Sequence, residues 1–239
     1  MRNSIAIMQR ELLSLFCSPI AYIVIAGFLL MTGVLVLVTG SFAPGKPATL
    51  RSVFFWTPFV LAIILPAISM RAIADEYRSG TIETLMTAPV SDAQLVLGKY
   101  FASLIFYLIM LAATFVYVLL LSFYGAQDWG ASFSAYLGLI LVGMTFTAYG
   151  VFASALTKNQ VVAWILGAVP LLLFAWFAYF LIPQVEGRLR DVFQQVNVMV
   201  RFETFSRGLV TLQNVTFFLA TTAFWLFLTI KIVESRRWR

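Results

Sequence analysis

KYFASLIFYLIMLAATFVYVLLLSFY, residues 99–124, runs for 26 residues and carries a single charge, Lys99, at its first position. As a helix rising about 1.5 Å per residue it is long enough to cross a hydrocarbon core about 30 Å thick. It shows no sustained period-2 alternation, so a helix is favoured over a barrel strand. Comparable apolar runs lie near 20–41, 54–73, 134–157, 161–183 and 213–233. The sequence therefore predicts an all-α integral membrane protein with six transmembrane helices, in a single transmembrane domain covering 1–239.

Composition supports this. The chain is 62% hydrophobic and 11% charged, against roughly 45–50% apolar and about 25% charged in soluble domains. Water could not accommodate that much apolar surface, and a bilayer can. The first run starts after about 19 residues and exceeds the usual 7–15-residue core of a secretion signal, so it reads as a retained span. There is one cysteine, Cys17, and no histidine. An internal disulfide, a paired-cysteine redox or zinc motif, a histidine metal site and a Ser–His dyad are thereby excluded. The net charge of +6 comes from basic residues flanking apolar spans. They form no binding stripe, so the expected partner is membrane lipid and not nucleic acid.

Six crossings put both termini on one side. That side receives Arg2, Arg10, Arg71, Arg78, Lys99, Lys158, Lys231, Arg236, Arg237 and Arg239; the other receives Lys46, Arg51, Arg188, Arg190, Arg201 and Arg207. The bias places the termini in the cytoplasm. Ahead of the first span, Ile5, Met8, Leu12 and Leu15 recur at helical spacing among Arg2, Gln9 and Arg10, which predicts an amphipathic helix in the interfacial plane, ended by Ser18-Pro19. In the outer segment 186–207, Leu189, Val192, Phe193, Val196 and Met199 are predicted to share one helical face. The fourth span collects Gly138, Gly143, Thr147, Gly150 and Ser154, small residues that favour close helix packing in lipid. Pro66 and Pro170 are expected to kink their helices.

The inner loop between the second and third spans is different. It carries four of the ten acids in the chain: Asp75, Glu76, Glu83 and Asp92. Ser79-Gly80 interrupts the chain as the second helix leaves the membrane. Thr81–Thr87 can then form about two helical turns, with Ile82, Leu85 and Met86 on one face. Ala88-Pro89 ends it, and Ser91-Asp92-Ala93-Gln94 matches a capping box opening the next helix. An apolar knob joined to two transmembrane helices suits a partner's groove, each buried side chain contributing about 1.5–3 kcal/mol. It equally suits lipid headgroups, and composition alone does not choose.

The stretch Glu76-Tyr-Arg-Ser-Gly-Thr-Ile-Glu-Thr-Leu-Met-Thr-Ala-Pro-Val-Ser91, with Leu97-Gly-Lys-Tyr100, closely resembles the signature of type-2 ABC exporter permeases. The wider likeness spans the chain: an amphipathic start, six spans, a long last outer loop and a basic tail. Phe205-Ser-Arg-Gly-Leu-Val210 is similar to the permeases of gliding-motility and nitrous-oxide-reductase-maturation systems. The resemblance implies a permease domain whose Thr81–Thr87 helix docks on a separate cytoplasmic ABC ATPase, with an N-terminal connecting helix. It implies a second permease copy or a related permease, and an extracytoplasmic partner where the cycle does mechanical work. The coupling role it implies covers Glu76, Gly80, Thr81, Glu83, Leu85 and Pro89, to which the reading of the knob and its charged surround adds Arg78, Ile82 and Met86. It supplies no catalytic residue, and the location implied is a bacterial cytoplasmic (inner) membrane.

The sequence adds a negative of its own. A phosphate-cradling Walker A loop needs Gly-x-x-x-x-Gly-Lys-Ser/Thr. The two Gly-Lys pairs, Gly45-Lys46 and Gly98-Lys99, are followed by Pro47 and Tyr100. No cofactor is expected in this chain; ATP and Mg²⁺ belong on the partner. The alternatives are a secondary transporter, which needs titratable groups within its spans, and a non-transporting membrane scaffold.

Overall fold

The computed structural model describes residues 2–41, 49–80, 91–124 and 128–237. Helix α1 (Arg2–Phe16) precedes six helices long and apolar enough to cross a membrane. The first span is α2 (Pro19–Val38), opened by Ser18, whose hydroxyl accepts from the Ile20 amide, and by a proline at the first helical position. The second is α3 (Arg51–Ser69) continued by α4 (Arg71–Ser79). The third joins α5 (Asp92–Ala113) to α6 (Phe115–Tyr124), and the fourth is α7 (Trp129–Leu156). The fifth begins as α8 (Gln160–Leu171), widens into a π-helical stretch (Leu172–Phe177) and closes with α9 (Ala178–Leu181). Two short helices follow outside the spans, α10 (Arg188–Val196) and α11 (Val198–Ser206), before the sixth span, α12 (Leu212–Arg237). No strand occurs among the described residues. The protein is an all-α integral membrane protein, and its second helix runs on past the point where its apolar run stops, as far as Ser79.

Helix α7 is the spine. It packs against α3, α5, α8, α11 and α12, while α2 lies at the periphery. Its small residues are contact points. A Cβ added at Gly143 would lie 2.0 Å from Cε1 of Tyr107, and one at Gly138 would lie 2.7 Å from Cβ of Phe205. Without a hydrophobic effect between lipid-embedded helices, such close approach and interhelical hydrogen bonds carry the association. The bonds are present: Tyr107 donates to the Leu139 carbonyl at 2.7 Å, Tyr117 to Leu29 at 2.7 Å, and Trp164 to Ile63 at 3.1 Å. Thr145 and Thr222 meet at 3.1 Å. Replacing Gly143 by valine is expected to destabilise the bundle by about 1–3 kcal/mol through overpacking, read as a lowered melting midpoint in detergent. Gly27→Ala is the control, since nothing lies within 4 Å of a Cβ there, and its midpoint should not fall.

One sequence expectation is corrected. The apolar face predicted from Leu189 to Met199 is split at Asn197. Leu189, Val192, Phe193 and Val196 lie exposed on α10, whereas Met199 is fully buried on α11 beside Phe202 and Phe205. Asn197 is the reason. Its side-chain oxygen caps α11 by accepting from the Met199 and Val200 amides, and its Nδ2 donates to the carbonyls of Phe174 and Ala175. Those carbonyls lie in the π-helical stretch just after Pro170, where the regular ladder is disturbed. Asn197 thus turns the chain inward, and α11 is held there by Arg201, which bonds Asn214 and stacks on Phe217. Desolvation lowers the Arg201 pKa below its ordinary value.

The N-terminal segment forms the helix that its periodicity predicts, α1. It lies along α5, where a Cβ added at Gly98 would come within 2.9 Å of Ile7 Cγ2. The missing side chain at Gly98 lets the two helices touch.

Candidate functional site

The inner end of the second span is built as an arm. Helix α3 ends at Ser69, and α4 resumes at Arg71 after a single intervening residue, Met70, four positions beyond Pro66. The first amides of any helix lack intrahelical acceptors. Here Ser154 of α7 supplies one: its Oγ accepts from the Ile73 and Ala74 amides at 3.0 and 2.9 Å and donates to the Met70 carbonyl at 2.8 Å. One hydroxyl from another span therefore caps α4 and pins the break. Nearby, Pro66 and Ser69 sit against Gly150 and Gly167, whose lack of side chains leaves them room.

Along its length the arm is fastened on three sides. Asp75 accepts from Gln160 Nε2 at the start of α8. The Arg236 guanidinium lies 4.6 Å from the Tyr77 ring centre and donates to the Leu156 carbonyl at 2.8 Å, joining α4, α7 and the end of α12. On the third side sits a charge cluster. Lys99, 1% exposed, donates to Glu76 at 3.0 Å and to Glu11 at 3.3 Å, and Arg10 reaches Glu76 at 3.3 Å. Among the described residues two cations face two carboxylates, and their charges balance. That is the condition under which charge tolerates burial. It ties α1, α4 and α5 together.

The arm ends at Gly80, whose φ of +72° and ψ of 0° are left-handed. Only glycine adopts this helix stop without a steric penalty. On the far side of segment 81–90, Ser91 accepts from the Gln94 amide while Gln94 accepts from the Ser91 amide, so the predicted capping box forms at the head of α5. Segment 81–90 thus starts and finishes on helices clamped to each other through Lys99.

Of the residues expected to couple, Glu76 points inward to Lys99 and Arg10, Arg78 is exposed on the last turn of α4, and Gly80 is the cap. Thr81, Ile82, Glu83, Leu85, Met86 and Pro89 lie outside the described residues. Sequence reasoning missed Lys99, Glu11 and Ser154 as members of this site. One signal was available for Lys99: it is the lone charge in an otherwise uncharged stretch of 26 residues.

The site thus sits at the inner end of a bundle of six helices long and apolar enough to cross a membrane. The model of the ABC-2 family transporter protein matches residues 53–224, and the chain belongs to that family. It is a multi-pass membrane protein and a transmembrane subunit of an ABC transporter, and membership implies association with a cytoplasmic ABC ATPase. No curated protein matches the chain.

Proposed function

We propose that this chain couples ATP hydrolysis by a separate cytoplasmic subunit to export, or to mechanical work on an outer partner protein, across a bacterial inner membrane. The observation that carries this reading is the Lys99 cluster. It makes α1, α4 and the head of α5 one body, so a push on segment 81–90 is transmitted to the second and third spans together. In this reading Thr81–Thr87 is the coupling helix, with Ile82, Leu85 and Met86 in the ATPase groove and Arg78, exposed at the end of the arm, at its rim. The termini are cytoplasmic, as the distribution of Lys and Arg supports. The chain itself is non-catalytic: ATP and Mg²⁺ bind the partner, and two permeases, identical or related, complete the transporter. The Phe205–Val210 stretch supports the gliding-motility-type branch.

The test is co-purification in mild detergent. Leu85→Asp combined with Met86→Asp is expected to abolish recovery of the nucleotide-binding subunit while membrane insertion is unchanged, because two charges would enter an apolar groove. Undiminished recovery with the double variant would remove the docking assignment.

A further inference from the structure

Between α1, the start of α2 and the α3–α4 junction lies a cleft of about 300 Å³. Its position is that of a membrane interface, since it lies beside the Ser18-Pro19 start of one span and the Arg71 end of another. Its wall is two-natured. Leu15, Val24 and Phe106 make an apolar side, and Glu11, Arg71 and Asp75 make a charged one. The apolar side continues onto the outward surface of α2, where Ile20, Tyr22 and Ile23 are exposed.

The charged side is incompletely used by the protein. Arg71 is partly buried and has no carboxylate partner within 4.0 Å among the described residues. Glu11 Oε2 accepts from Lys99 and Asp75 Oδ1 accepts from Gln160, and among the described residues no donor is bonded to the second oxygen of either. A half-buried guanidinium without a counter-ion calls for an anion, and planar phosphate-binding geometry is what guanidinium supplies. Two carboxylate oxygens across the same cleft call for a cationic donor. An apolar wall that opens onto the lipid-facing side of α2 calls for an acyl chain.

We infer that this cleft is a binding site for a zwitterionic, amine-bearing phospholipid, with phosphate on Arg71, ammonium on Glu11 and Asp75, and the first methylenes along Leu15, Val24 and Phe106. Naming the leaflet as the cytoplasmic one rests on the orientation proposed above; the site itself does not. The lipid would bridge α1 and α4, the two elements that the Lys99 cluster already joins, and its headgroup would share Glu11 with that cluster.

The test is native mass spectrometry of the purified, delipidated chain titrated with dioleoyl phosphatidylethanolamine or dioleoyl phosphatidylglycerol. The expected result is a saturable adduct with the ethanolamine lipid, at least about tenfold weaker in Arg71→Gln, which loses the charge-assisted bond to phosphate. Val24→Trp should block the apolar side and lower retention likewise, while circular dichroism confirms that both variants fold. Soluble glycerophosphoethanolamine should compete poorly, which separates a lipid from a free phosphate ester. Equal retention of both lipids, unchanged in either variant, would mean ordinary surrounding lipid and would overturn the assignment. So would a preference for the glycerol headgroup, because it carries no ammonium. A Val24→Trp chain that loses self-association but keeps its lipid would give the cleft to a second copy and would also overturn it. No ATPase is present in this experiment, so its failure leaves the coupling reading standing, and loss of ATPase association leaves the lipid site standing.

Discussion

Lys99→Met is expected to destabilise the folded bundle by about 3–5 kcal/mol, the cost of removing one partner from a buried charge cluster and leaving the others uncompensated. Lys99 is almost wholly buried, and its two carboxylate partners are largely so, with side-chain exposures of 12% for Glu76 and 20% for Glu11. Arg10 would still face Glu76, but its own side chain is mostly in solvent, so its screening is that of a surface pair. The loss should therefore concentrate on Glu11, which has no other salt bridge among the described residues. Adding Glu11→Gln and Glu76→Gln to Lys99→Met removes the stranded charges and should recover much of the melting midpoint. If the cluster acts as a clamp, the triple variant should remain poorly coupled even when stable, because α1, α4 and α5 are no longer fastened. The measurement is a pair: melting midpoint in detergent, and stimulation of ATP hydrolysis in the reconstituted complex. A triple variant restored in both would reduce Lys99 to a packing residue.

What was legible in the sequence divides along a physical line. The six spans were, because length and continuous apolarity are local properties. So were the capping box at Ser91 and the stop at Gly80, since each is decided within four residues. The crowding of small residues in α7 correctly announced close packing, although no pattern said that Gly143 would receive Tyr107. The fastening of the arm was not legible. Lys99 and Glu11 are 88 residues apart, and Ser154 and Ile73 are 81 apart. Such pairings depend on which helices become neighbours, and periodicity does not encode that. The outer segment failed for a related reason. The helical pattern from Leu189 to Met199 runs straight through Asn197, whose side chain donates to carbonyls of the fifth span that lie far from it in sequence.

Ser154→Ala is the sharpest test of the arm itself. Serine within a span is ordinarily expected to bond the carbonyl four residues back in its own helix, as Ser69 does with Leu65. Ser154 instead serves a different helix, and its hydroxyl is the cap for two amides and one carbonyl at the α3–α4 break. Ser154, Ile73 and Ala74 are fully buried, so water cannot replace the lost oxygen at the two amides without opening the interface. If α4 keeps its place, the two buried amides left unpaired should cost about 2–6 kcal/mol together, at about 1–3 kcal/mol for each. With its cap removed, the first turn of α4 opens more readily. Hydrogen exchange at Ile73 and Ala74 should therefore accelerate at least about tenfold, which corresponds to a loss of about 1.4 kcal/mol in local stability. Ser154→Cys, which keeps a weak donor and acceptor of similar size, should fall between wild type and alanine. Protection at both amides unchanged in Ser154→Ala would mean that the arm is held by Asp75, Glu76 and Tyr77 alone, and that the break at Met70 needs no staple.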